Sequence, residues 1–236
     1  MAIASAGAAF ADTTAVAGSA FGESLNVTVL GQGLVTSGPT PTVTLPAGGS
    51  AAAITNQTAS VTVVGLLSTG LLNVSTQGTP AGGSVTSSST VANPVIGALL
   101  TTITADAVTS TCTSDSSGST GSTTITNLKV LGATVNASTV PNTGLSVAGI
   151  GTLFVNEQVT TGSGPSTGIT VNAIRVALNA GLGSGSIIIG QSKCAVTGDG
   201  VVVPTGAVGG VLLAGVVAAG FGVTQLRRRH RGETQD

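Results

Sequence analysis

Through most of the chain, apolar and polar residues alternate in short runs. SLNVTVL places Leu25, Val27 and Val29 on one face of a strand and Asn26 and Thr28 on the other, because successive strand side chains point to opposite faces. PTVTLP repeats the pattern with Val43 and Leu45, and Pro41 and Pro46 confine it to an edge or a short strand. SVTVVG, LLNVST, AVTSTC, STTITNLKVLG, LSVAGIGTLFVNE and SIIIGQSKC predict further strands. GITVNAIRVALN adds a phase change. Ile169, Val171 and Ala173 share one parity and Ile174, Val176 and Leu178 the other, which predicts a β-bulge near Ala173–Ile174. PAGGS, QGTPAGGS and SDSSGSTGS read as turns. No capped 3.6-residue apolar stripe interrupts this series, so an all-β domain is expected, a β-sandwich or jelly roll. A β-solenoid is the alternative, without a fixed repeat period to support it.

After position 205 the alternation stops. Gly206 to Leu226 carries no formal charge and has the length to cross a bilayer core of about 30 Å as a helix. Arg227, Arg228, Arg229 and Arg231 follow at once. Basic residues beside a span stay on the cytoplasmic side, so the tail is expected inside and the body outside. Gly206, Gly210, Ala214, Ala218 and Gly222 recur every four positions along one helix face. Such a ladder lets two helices approach closely and suggests a weak parallel homodimer of the span, against the rival account of plain Ala/Gly bias.

Composition supports the strand reading. Only 6% of the 236 residues are charged and 2% aromatic, while Gly contributes 36. The low charge belongs to a hydroxyl-rich surface on strands with one wet face. From Asp12 to Pro204 the basic residues are Lys129, Arg175 and Lys193, against Asp12, Glu23, Asp106, Asp115, Glu157 and Asp199. Nucleic-acid binders concentrate positive charge and stack bases on aromatics, so no nucleic-acid partner is expected.

The N-terminus bears on export. Ala9-Phe10-Ala11 before Asp12 has the small residues of a signal-peptidase site. The positive leading segment is missing, so residues 1–11 are expected to be the remnant of a longer signal peptide. An exported chain with one pair of cysteines, Cys112 and Cys194, is expected to bond them. The expected order is residues 1–11 as remnant, 12–198 as β-rich extracellular domain, 199–205 as linker, 206–226 as span and 227–236 as basic tail.

Taken in order, LNVTVLGQGLVTSGPTPTVTLPAGG, LLSTGLLNVSTQG, ITADAVTSTCTS, GSTTITN, VNEQ, ITVNAIRVALN and IIIGQSKC resemble successive blocks of the choice-of-anchor P bacterial surface proteins. The resemblance runs from about Glu23 to Cys194 and includes both cysteines. It implies export and surface anchoring, with no established activity. Some members resemble sortase substrates with LPxTG before the span. Here the stretch is VVVPTGA, with Val203 for Leu and no residue between Pro204 and Thr205, which favours a retained membrane helix over covalent wall attachment.

Candidate chemistry is sparse. A catalytic serine triad needs a histidine base, and the only histidine, His230, lies in the tail. The same shortage removes zinc ligation and Cys/His catalysis. Asp106, Asp115, Glu157 and Asp199 offer carboxylates without a spacing that suggests glycosidase work, and sugar platforms are usually aromatic. Asp115 in TSDSSGSTG reads as a turn residue rather than the start of a calcium site. Glu157 in FVNEQ reads as a strand-end charge paired with Arg175 or Lys193, or else as a ligand-recognition carboxylate. No catalytic residue, cofactor or metal is expected. The expectation is a structural or adhesive surface domain, with a glycan or host-ligand binding module and an unrecognised hydrolase as alternatives.

Overall fold

The computed structural model describes residues 12–199 except 30, 32, 99–100, 137–139, 149 and 179–182. The chain divides into two compact units, Met1–Val203 and Pro204–Asp236, and every described residue belongs to the first. The expected signal remnant, the 206–226 span with its small-residue ladder, and the arginines of the tail lie outside the described residues. Among the described residues no helix is long and apolar enough to cross a membrane.

Seventeen strands are described, beginning with β1 (Thr13–Val29), β2 (Gly33–Thr44), β3 (Ser50–Thr58), β4 (Thr62–Val63), β5 (Leu67–Ser68) and β6 (Leu72–Thr79). They continue with β7 (Ser84–Ala92), β8 (Val95–Ala98), β9 (Thr101–Thr104), β10 (Ala107–Asp115), β11 (Gly118–Thr126) and β12 (Lys129–Val130). The last are β13 (Ala133–Thr134), β14 (Thr143–Val147), β15 (Gly151–Ser163), β16 (Ser166–Leu178) and β17 (Gly183–Gly198). They form three sheets, ordered β14-β15-β16-β17-β1-β2, β11-β10-β7-β6-β3 and β13-β12-β9-β8-β5-β4. Every pairing is antiparallel, which sets the fold apart from a solenoid of stacked parallel strands.

The second and third sheets are consecutive stretches of one layer. Four neighbouring strands of the second, β11-β10-β7-β6, continue in the same order as β12-β9-β8-β5 of the third. Backbone bonds cross the break, from Gly70 N to Ala92 O, Asn93 N to Asp106 O and Asp106 N to Thr126 O, at 2.7–2.9 Å. Asn93 (φ 47°) and Asn127 (φ 53°) turn the chain there in the left-handed region, which Asn tolerates better than most residues. The architecture is therefore sandwich-like, with the first sheet as one layer and the broken sheet as the other.

The first sheet bends too, and the β-bulge expected near Ala173–Ile174 is corrected by its register. The phase change is present: Ile169, Val171 and Ala173 are buried, and so are Ile174 and Val176. Yet pairing passes from Val155–Ile174 to Glu157–Asn172, and from Ile174–Ile189 to Asn172–Gln191, without a shift. Each neighbour has its own off-ladder residue at the same level: Asn156 in β15, Gly190 in β17 and Gly22 in β1. Inward parity therefore changes in all four strands together and no strand gains a residue on another. Asn156 (φ 52°) and Gly190 (φ 69°) supply the left-handed backbone. A true register shift falls instead between β1 and β2, where Glu23 faces Thr40 but Leu25 faces Ser37.

The bend separates two kinds of core. On one side Leu25, Ile96, Ile103, Leu128, Leu153 and Ile187 form an aliphatic cluster. On the other, Val16, Val85, Ile169, Val171 and Val196 pack around the two cysteines. That second region is thin: a Cβ on Gly18 would collide with Thr76 and Ser87, and one on Gly121 with Val171. Small residues let the layers approach, and hydroxyls occupy places that larger apolar side chains fill elsewhere. Ser89 donates to Phe21 O at 2.8 Å and Ser87 to Lys193 O at 3.1 Å, tying one layer to the backbone of the other.

Candidate functional site

Cys112 of β10 and Cys194 of β17 are bonded, so the pair expected from the sequence forms a bridge between the two layers. Both side chains are buried and packed against Val85, Ile169 and Val171.

The outer face of the first sheet carries the densest polar chemistry. Register lines up Glu157 of β15, Asn172 of β16, Gln191 of β17, Phe21 of β1 and Thr42 of β2 as one row across five strands. Their parity is opposite to that of Gln158, Val171, Ser192 and Gly22, which face the other layer. Beyond the bend the next outward row contains Phe154, Arg175 and Ile188.

Arg175 reaches back across the bend. Its Nη2 lies 2.6 Å from Glu157 Oε1, and its Nε donates to the same carboxylate at 2.7 and 2.9 Å. Asn172 donates to Glu157 Oε2 at 2.7 Å, and Gln191 donates to Asn172 Oδ1 at 2.7 Å. The guanidinium also sits 4.2 Å from the Phe154 ring centroid, a cation–π contact. Partial burial raises the Glu157 pKa, but the hydrogen bonds and charge of Arg175, with Asn172, outweigh it and hold the carboxyl below its ordinary range. Of the partners read from the sequence for Glu157, the structure selects Arg175, and this is the only ion pair among the described residues.

The aromatic rings were not legible as a site. Phe21 and Phe154 are the two aromatic side chains among the described residues, and both face outward on this sheet rather than into the core. A low aromatic content argues against a sugar platform only if the rings are dispersed or buried. The available signal was parity: Phe154 stands between Leu153 and Val155, both buried.

The other carboxylates are differently placed. Asp115 caps the β10–β11 turn, accepting from the Ser117 hydroxyl, the Ser117 amide at 2.7 Å and the Gly118 amide at 3.2 Å. The Ser117 bonds hold its pKa below the ordinary value, so its reading as a turn residue stands. Only Ser116 and Ser117 of SDSSGSTGS lie in that turn, and the residues after it are strand. Asp106 accepts from Asn127 at 2.5 Å across the break in the second layer. Glu23 is fully buried beside Ser37, which donates to Oε1 at 3.0 Å, while Oε2 has no partner. Burial raises its pKa and the Ser37 bond offsets part of that rise. Among the described residues no group of three or more His, Cys, Asp or Glu is arranged to hold a metal.

No protein-family model, curated protein or solved structure matches the chain.

Proposed function

We propose that this chain is an exported surface protein of the choice-of-anchor P kind, with a structural or adhesive β-domain outside the membrane. Residues 206–226 would span the bilayer and Arg227, Arg228, Arg229 and Arg231 would hold the tail inside. The observation that carries the reading is the Cys112–Cys194 bond between the layers. A structural disulfide persists in oxidising surroundings and is rare in a reducing cytosol. Support also comes from the described strands, the last of which ends at Gly198, shortly before the uncharged segment in the sequence. The carboxylates favour a non-catalytic role: Glu157 is neutralised by Arg175, Asp115 is engaged by its turn and Asp106 by Asn127. Association of the anchor through Gly206, Gly210, Ala214, Ala218 and Gly222 belongs to the same proposal and is weak.

Protease treatment of intact cells tests the topology. The body should be digested and a short C-terminal fragment retained in the membrane. Full-length protein protected on sealed cells and digested only after lysis would refute the reading.

A further inference from the structure

Resting on the reading of an outward-displayed domain, we propose that the outer face of the first sheet binds a linear acidic glycan. The site is the row Glu157–Asn172–Gln191–Phe21, flanked by Phe154 and Lys193. Sugar rings present apolar C–H faces and hydroxyl edges, so they need flat apolar surfaces beside fixed donors and acceptors. Phe21 on β1 supplies the first, directly opposite Gln191 of β17, while the Phe154 ring at the far end of the site carries the Arg175 guanidinium on one face.

The hydrogen-bonding groups are already oriented by one another, which lowers the entropy lost on binding. Gln191 uses one N–H on Asn172, and Asn172 uses one N–H on Glu157. Gln191 keeps its second N–H and its carbonyl for ligand hydroxyls, and the buried Asn172 holds it in place. The arrangement resembles a prepared surface more than a stabilising ion pair alone, because Asn172 and Gln191 carry it one and two strands away from Glu157.

Charge selects the acidic class. Arg175 is matched by Glu157, whereas Lys193, one outward position along β17 from Gln191, is exposed and has no ion-pair partner. It borders a hollow of about 150 Å³ formed with Ala17, Ser19, Thr44 and Ala195. The short side chains leave room for a substituent beside the ammonium. On this face Lys193 is the unmatched cation that a carboxylate on a sugar can meet, the other exposed and unpaired lysine, Lys129, lying in the opposite layer. A flat face without free strand-edge groups does not suit an added peptide strand, and one unmatched lysine does not suit a polyphosphate.

The test uses full-length protein in nanodiscs, with polygalacturonate oligosaccharides and a neutral glucan of matched length as probes. The parent should bind the acidic probe more tightly than the neutral one. Phe21→Ala and Gln191→Ala should each weaken binding at least about tenfold, the equivalent of roughly 1.4 kcal/mol. Lys193→Ala should remove the preference between probes, and Thr111→Ala on the opposite layer should change nothing. Circular dichroism identifies any variant that fails to fold, and Gln191→Ala serves as the second reading if Phe21→Ala does. Absence of binding by the parent, or equal binding by every folded variant, overturns the proposal. So does self-association through this face, seen as concentration-dependent mass abolished by Gln191→Ala. None of these results changes the protease topology result, which stands or falls separately.

Discussion

Glu23 and Glu157 both lie in the first sheet, and their surroundings act on them in opposite directions. Glu157 is held ionised by Arg175 and Asn172, so its contribution to stability is present above its ordinary pKa of 4.5 and is lost as pH falls through the lowered native value. Glu157→Gln should cost about 1–2 kcal/mol at neutral pH, since a part-buried guanidinium loses its partner, and the deficit should shrink in acid. Glu23 has the reverse sign. Its native pKa is raised, so as pH climbs above 4.5 the unfolded chain ionises first and folding loses stability. One of its oxygens is buried without a partner, which adds a desolvation cost once the group is charged. Glu23→Gln should therefore be more stable than the parent at neutral pH by about 1–3 kcal/mol, with the two converging below pH 4.5. Urea unfolding of parent and both variants from acid to neutral pH checks the pair. A Glu23→Gln variant less stable than the parent at neutral pH would show that the carboxylate is wanted there.

At the scale of strands, the bend is the organising feature and also the part least legible beforehand. The apolar pattern located Leu25–Val29 and Ile187–Ile189, whose aliphatics face the larger core, and Val43–Leu45, whose side chains face the thinner side. Pro41 and Pro46 correctly restricted β2 to a sheet edge. The first half of β1, and all of β3 and β7, went unread: their Ala, Gly and Ser residues lack the β-branched pattern that marks a strand. The β1 half and β7 are strands because small residues such as Gly18 and Ser87 let the two layers come together, a tertiary reason invisible in local propensity, whereas β3 is a largely exposed edge strand. The phase change in β16 was visible, but its meaning depends on matching residues in three other strands. Two changes test this account. Gly18→Ala should destabilise by about 1–3 kcal/mol through collision with Thr76 and Ser87. At Asn156, Gly keeps the backbone but loses the 2.9 Å bond from Gln158 Nε2, and Val should cost about 1–2 kcal/mol more than Gly because φ is 52° there. Thermal melts of the three variants decide it, and an Asn156→Val as stable as Asn156→Gly would mean that the bend does not need left-handed backbone.

On the scale of the whole molecule, the disulfide joins strands 82 residues apart. Its loop-entropy contribution is about 4–5 kcal/mol as an upper figure, and paired Cys→Ser changes should cost about 2–5 kcal/mol in denaturant midpoint experiments. Alkylation of both thiols in protein isolated under oxidising conditions would contradict the bond. β17 is the last described strand, its final residue Gly198 pairs with Thr13 of the first, and Cys194 precedes it by only a few positions. This placement has a mechanical consequence. Tension entering from the C-terminal side peels only the end of β17 before it reaches a covalent link into the opposite layer. The segment enclosed by the bridge cannot then lengthen, so a single-molecule pull should release a shorter contour from oxidised than from reduced protein. The difference is at most about 280 Å at roughly 3.4 Å per residue. A domain built this way holds its shape under tension for as long as the bridge stays oxidised.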